Sequence, residues 1–201
     1  MLFISRFAPA AACCVLLAAC GSSSDTPTTT SSSVDVESAT QIAAGFDVTR
    51  RLADYAPFAL TADLSGLDQK QRQMIVTLID AGKIMDQLFW RQAFSDDYEQ
   101  WLTTLPDDEA RQFARVNYGP WDRLASNTPW VAGIGDKPKG ANLYPADMTA
   151  AEFEAFEHPD KAGLYSLIRR DGDGALTVVP YHDAYAEPLQ QAATLLRAAA
   201  Q

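Results

Sequence analysis

The chain has 201 residues, 47% of them hydrophobic, and a formal net charge of −10. That is enough apolar material for one globular domain with a core. The acidic balance argues against nucleic acid, where cationic side chains must replace phosphate counterions, and against contact with anionic lipid surfaces through the protein itself.

The first twenty residues read "MLFISRFAPAAACCVLLAAC". Arg6 precedes an apolar run from Phe7 to Ala19, too short to span a bilayer and suited to the core of a signal peptide. Leu17-Ala18-Ala19-Cys20, followed by Gly21, resembles the lipobox of bacterial lipoproteins. On that resemblance residues 1–19 leave as the signal peptide and the Cys20 thiol is lipidated. Gly21 after the cysteine then implies a lipid anchor in the outer membrane, facing the periplasm of the bacterial envelope. The other reading is an ordinary secretory signal with a chance cysteine. Cys13 and Cys14 go with the signal, which leaves no disulfide, no thiol nucleophile and no cysteine zinc site in the mature chain. Residues 20–40 continue as a Ser/Thr-rich stretch that cannot bury enough surface to offset its ordering entropy, and they read as a disordered tether.

The folded region is expected over residues 41–201. Phe46 to Leu64 mixes alternation with a central proline and reads as short helix or extended chain. Asp68 to Phe94 is a helix with an apolar stripe at Ile75, Leu78, Ile79, Met85, Leu88 and Phe89 and an N-cap at Ser65 or Asp68; its plainest role is a core helix. "SDDYEQWLTTL" and "PDDEARQFARV" predict two shorter helices, the second with Pro106 and three acids in its first turn. An irregular stretch from Asn117 to Asp147 follows. It holds Trp121 and Trp130 among four prolines, Pro120, Pro129, Pro138 and Pro145. Thr149 and Glu152 form a capping-box pattern. Leu164 to Ile168 and Leu176 to Val179 flank a Gly-Asp turn and predict a β-hairpin, and "AEPLQQAATLLRAAAQ" predicts a last, amphipathic helix without a stop signal. The fold class is α+β, mostly helical with a small hairpin or sheet.

The standard catalytic patterns fail on particular residues. The only histidines, His158 and His182, lie in different elements and outside any H-E-x-x-H helix. An EF-hand loop from Asp171 would place His182 where the bidentate glutamate belongs. A Walker loop from Gly135 reaches Gly140 but continues with Ala141 and Asn142 instead of Lys and Ser/Thr. There is no G-x-S-x-G elbow.

The order of blocks is more informative. "ADLSGLDQKQRQMIVTLIDAGKIMDQLFWRQAF", "NYGPWDRL", "GANLYPADMT", "LIRRDGDGALTVVPYHDAY" and "LQQAATLLRAAA" together resemble the N-terminal portion of bacterial proteins of the dipeptidyl-peptidase III family, over roughly residues 46–201. The resemblance implies part of one lobe of a two-lobed zinc metallopeptidase that removes dipeptides from peptide N-termini. Zinc is the cofactor it implies for the full-length family, held by an H-E-x-x-G-H helix and a later glutamate. Neither motif occurs in this sequence, so no catalytic or metal residue carries over, and no cofactor is expected in this chain. Two readings stand: a truncated chain, inactive alone, whose partners are peptide and the missing C-terminal portion; or a non-catalytic envelope lipoprotein that binds peptide or a protein partner. Asn117, Tyr118, Trp121, Asp122, Asn142 and Tyr144 are the candidates for a peptide-facing surface, because aromatic faces and amide or carboxylate groups suit an extended backbone. The competing expectation has Trp121 and Tyr144 filling the core while Asn117, Asp122 and Asn142 cap turns.

Overall fold

A computed structural model describes residues 39–201; the expected signal peptide, Cys20 and the tether up to residue 38 lie outside the described residues. Near the start of the described residues, the Thr40 amide donates to the Thr104 carbonyl at 2.9 Å. The first helix, α1 (Val48–Leu52), starts where the Asp47 carboxylate accepts from the Arg50 amide. An extended, exposed connection leads from it to α2 (Gln69–Ala93). There Asp68 and Gln71 form a reciprocal capping box at 2.8 and 3.0 Å, satisfying two amides that the helix itself leaves free.

Two short helices follow, α3 (Tyr98–Thr104) and α4 (Asp108–Asn117). Asp107 caps α4 by accepting from the Ala110 amide at 2.7 Å, so Pro106 sits just before the cap and not inside the first turn as expected. Asp108 and Glu109 occupy that turn, where acids complement the helix dipole. Within the irregular stretch two residues, β1 (Trp121–Asp122), pair antiparallel with β2 (Thr128–Pro129). A further bridge joins Ile42 to Val131.

The next helix, α5 (Ala150–Ala155), has half of the expected capping box. The Thr149 hydroxyl accepts from the Glu152 amide at 3.1 Å, but the Glu152 carboxylate accepts from Arg170 at 2.8 and 3.1 Å. A guanidinium outcompetes a neutral amide for a carboxylate because the bond is charge-assisted. The hairpin forms from β3 (Ser166–Arg170) and β4 (Leu176–Pro180), with Leu167 opposite Val179. Its loop is held by the Asp171 carboxylate, which accepts from the Asp173 and Ala175 amides. Leu164, expected to open the strand, lies before it and is 93% exposed. A single turn, α6 (Tyr181–Ala184), leads into α7 (Ala186–Ala199), which packs along α2. The class is therefore α+β, helix-dominated with two small antiparallel sheets.

The main core gathers Trp90, Leu102, Leu105, Phe113, Trp130 and Val131. Phe113 meets Trp130 edge-on, with ring centroids 5.3 Å apart, an arrangement favoured by the ring quadrupoles. A smaller core of Leu88, Leu167 and Tyr185 ties α2 to the hairpin and α7. As a core helix α2 departs from expectation. Ala81, Leu88 and Trp90 are buried, while Leu78, Ile79, Met85 and Phe89 are 42, 54, 45 and 45% exposed. Packing by α7 and the main core leaves that face of the helix uncovered.

Candidate functional site

Tyr118 closes α4 in the left-handed conformation (φ 54°), and Gly119 follows at φ +138°. A side chain at Gly119 would meet Phe94 at 3.3 Å, so only glycine lets the chain turn this closely against α2. Beyond the turn, the polar residues of the irregular stretch serve its own backbone. The Asn117 Oδ1 accepts from the Tyr55 hydroxyl at 3.0 Å and from the Arg123 amide at 2.9 Å, while its Nδ2 donates to the Phe113 carbonyl. The Asp122 carboxylate accepts from the Leu124 amide and from the Arg51 guanidinium at 2.7 Å. Both side chains are buried. Trp121 is buried and donates its indole N–H to the Gly135 carbonyl at 2.9 Å; Trp130 donates to the Gly119 carbonyl at 3.1 Å.

Two clefts border this stretch and the C-terminal half of α2. The larger, about 540 Å³, lies between α2, α3 and α4. Its walls include Trp90 stacked on Tyr98 at 4.9 Å, with Tyr118, Lys83, Arg111 and Arg115 around them. Burial, then the Glu99 carboxylate, push the Tyr98 phenol up to about 12. The Tyr118 phenol is also raised, chiefly by donating to the Asp86 carboxylate and then by burial. Arg111 is held by Asp108 and the Leu105 carbonyl. Among the described residues Arg115 has no ion-pair partner.

The smaller cleft, about 260 Å³, lies between the end of α2, the 138–146 loop and β3. Trp121, Asn142, Tyr144, Arg169 and Arg170 line it. Asn142 is fixed by donating Nδ2 to the Arg91 carbonyl at 2.8 Å, and Arg169 donates to the Asn142 and Leu143 carbonyls. Tyr144 packs edge-on against Phe153 at 5.8 Å. Gly140, at φ +81°, makes room for the Tyr144 ring, which a Cβ there would meet at 2.3 Å.

The six sequence candidates therefore divide three ways. Tyr118 lines the larger cleft, Trp121, Asn142 and Tyr144 line the smaller, and Asn117 and Asp122 line neither. The arginines that line the two clefts, Arg111 and Arg115 in the larger and Arg169 and Arg170 in the smaller, were not among the candidates. Arg111 and Arg115, one helical turn apart in "EARQFAR", carried the available signal. Of these cations Arg115 alone makes no ion pair or hydrogen bond among the described residues, and it could meet a carboxylate or carbonyl oxygen of a ligand.

The described residues offer zinc no fitting ligand set. Among the described residues no group of three His, Cys, Asp or Glu side chains could hold a metal. The His158 Nδ1 accepts from the Asp160 amide, and His182 lies beside Asp183; both histidines are exposed.

The architecture is dipeptidyl-peptidase III-like. The dipeptidyl-peptidase III of Caldithrix abyssi is 36% identical and superposes with a TM-score of 0.68, covering 76% of this chain and 31% of that chain. The enzyme of the same name from Corallococcus sp. strain EGB is 30% identical, with a TM-score of 0.67 and the same coverage. A curated relative, Nudix hydrolase 3 of Arabidopsis thaliana, is 24% identical over 78% of this chain and 28% of its own length. The chain thus spans less than a third of each of these proteins. No protein-family model matches it.

Proposed function

We propose that this domain is the N-terminal portion of a dipeptidyl-peptidase III-like zinc hydrolase, and that it helps hold peptide substrate in the bacterial envelope, tethered through a lipid on Cys20. The observation that carries the reading is the 36% identity and shared fold with the Caldithrix abyssi enzyme over 76% of this chain. The role of these residues is binding. Aromatic faces at Trp90, Tyr98 and Tyr118 would pack against peptide side chains, and Arg115 would meet carboxylate or carbonyl oxygens. The smaller cleft, about 260 Å³, has room for little more than a single side chain beside Tyr144 and Asn142. Zinc bound in such a hydrolase would supply Lewis acidity. Its ligands would have to come from outside the described residues.

The test is calorimetric titration of the whole chain, in detergent, with short peptides, alongside a dipeptidyl-naphthylamide assay with added zinc. Saturable peptide binding is expected, weakened roughly tenfold by Arg115→Ala, which removes an exposed cation and little packing. No dipeptide release is expected from this chain alone. Absence of peptide binding, or binding indifferent to Arg115, would sink the role given to the cleft. Release of dipeptides with stoichiometric zinc would sink the claim of inactivity. Incorporation of labelled fatty acid into the chain but not into its Cys20→Ser variant checks the anchor. The exposed apolar face of α2 favours a second reading, a non-catalytic lipoprotein whose ligand is a protein partner.

A further inference from the structure

Between the turn that follows α1 and the cap of α2 the chain reads "APFALTADL", Ala56 to Leu64. Pro57 keeps this stretch out of a helix, because it has no amide to donate and pushes Ala56 to extended backbone. Residues 56–66 are all exposed, and residues 56–63 make no backbone hydrogen bond. Phe58 and Leu60 are 84 and 91% exposed. Both ends of the stretch are fixed. On one side the Tyr55 hydroxyl donates to the Asn117 Oδ1 at 3.0 Å, and on the other Arg72 donates to the Leu64 carbonyl.

An endopeptidase binds its substrate as an extended strand, with backbone groups free to pair and a side chain available for a pocket. In a folded protein such a strand must first be opened, and the cost of opening sets the rate of cutting. Exposure by itself is not enough. Leu164 and Tyr165 are 93 and 78% exposed, yet the chain before them is folded on itself. There the Lys161 amide donates to the His158 carbonyl, the Gly163 amide to the Asp160 carbonyl, and the Lys161 Nζ to the carbonyls of Phe153 and Glu154. Those bonds must break before a strand can form, whereas residues 56–63 have none to break. The stretch contains no Lys or Arg, so the pocket that suits it is apolar.

We propose that residues 56–63 are a proteolytic processing site, cut after Phe58 or Leu60 by an endopeptidase that takes an aromatic or leucine side chain, and that the strap from Thr40 to Tyr55 stays bound after the cut. Water adds across the Phe58–Ala59 amide: its oxygen joins the Phe58 carbonyl carbon, the C–N bond breaks, and Ala59 leaves as a protonated amine. The Leu60–Thr61 bond is cut in the same way. The strap is held by contacts that the cut does not touch. Ala43 donates to the Trp130 carbonyl at 3.0 Å, and the Gln41 carbonyl accepts from Ala132 at 2.8 Å. Phe46 lies against Phe113 and Trp130, with ring centroids 5.8 and 6.5 Å apart, and Arg51 reaches buried Asp122 at 2.7 Å. If the lipid anchor proposed above is present, the cut leaves the domain held at the membrane by the strap alone. Only that consequence rests on the proposed function.

The experiment digests the whole chain, in detergent and without denaturant, with a trace of chymotrypsin, and assigns the products by intact mass over time. Within residues 39–201 the first cuts are expected after Phe58 and Leu60, at least roughly tenfold faster than after Leu164 or Tyr165, which need local opening. Phe58→Asp with Leu60→Asp should slow cutting in the stretch at least roughly tenfold, since a carboxylate is poorly received by an apolar pocket. Both side chains face solvent, so the helicity of the variant should match that of the parent. The nicked chain should elute as one species in size-exclusion chromatography and come apart into two pieces in urea. First cuts elsewhere in residues 39–201, or cuts in the stretch that ignore the double substitution, overturn the site. Pieces that separate in native buffer overturn the bound strap. A chain that takes up no labelled fatty acid loses the anchor and its consequence, while the cut and the strap stand.

Discussion

The most regular element of this protein and its least regular one have exchanged the roles that regularity suggests. Helix α2 runs for 25 residues behind a complete capping box, yet Leu78, Ile79, Met85 and Phe89 face solvent. The stretch from Tyr118 to Tyr144 has only two-residue strands and single turns of 3₁₀ helix, yet it supplies fully buried Pro120, Asp122 and Trp130. Regular backbone satisfies its own hydrogen bonds and can stand exposed along one side. Irregular backbone must find partners elsewhere, in side chains or distant carbonyls, and finding them draws it inward.

That contrast can be broken most sharply at Trp130. Replacing it with alanine should destabilise the domain by about 4 kcal/mol, from lost burial and the cavity left behind, measured by urea denaturation. An unchanged midpoint would mean that the irregular stretch does not hold the core. Asn117→Ala comes next. It removes a buried amide that serves Tyr55, Arg123 and Phe113, and about 2 kcal/mol should be lost as those groups go unpartnered. A loss well below 1 kcal/mol would point to water taking the amide's place.

Tyr98 gives a smaller, pH-dependent effect. Its phenol titrates near 12 when folded, against about 10 in the unfolded chain. A proton is thus held more tightly in the native state, so the contribution of Tyr98 is complete below pH 10 and lost as pH rises through 12. Spectrophotometric titration should show a late tyrosine that moves to ordinary pH in urea. At the other extreme, Ile79→Ala on the exposed face of α2 should change stability by no more than about 0.5 kcal/mol, because alanine favours helix and little packing is lost. A loss of several kcal/mol would show that the face is covered in this chain by itself.

The candidate site was only partly legible. Asn117, Tyr118, Trp121, Asp122, Asn142 and Tyr144 were chosen for side chains able to contact a peptide, and the same chemistry equally suits capping and packing. Asn117 and Asp122 are bound to the backbone of their own stretch, whereas Tyr118 and Tyr144 reach clefts. Nothing local distinguishes these outcomes, since each depends on what lies across the turn: Tyr55, Arg51, Asp86 or Phe153. Arg115 was overlooked for the opposite reason, because a cation on a helix with equal numbers of acids and arginines reads as ordinary solvated surface until α2 and α3 place a cleft beside it.

The sequence by itself determined the caps at Asp68 and Thr149, the length of α2, the hairpin and the α+β class. These follow from interactions within a few residues, where spacing along the chain is spacing in space. Tertiary structure alone decided that Glu152 turns from its own helix to Arg170, that Trp130 becomes the centre of the core, and that α2 keeps an apolar face open. In each case the competing partner is distant in sequence, and its geometry exists only once the chain has folded.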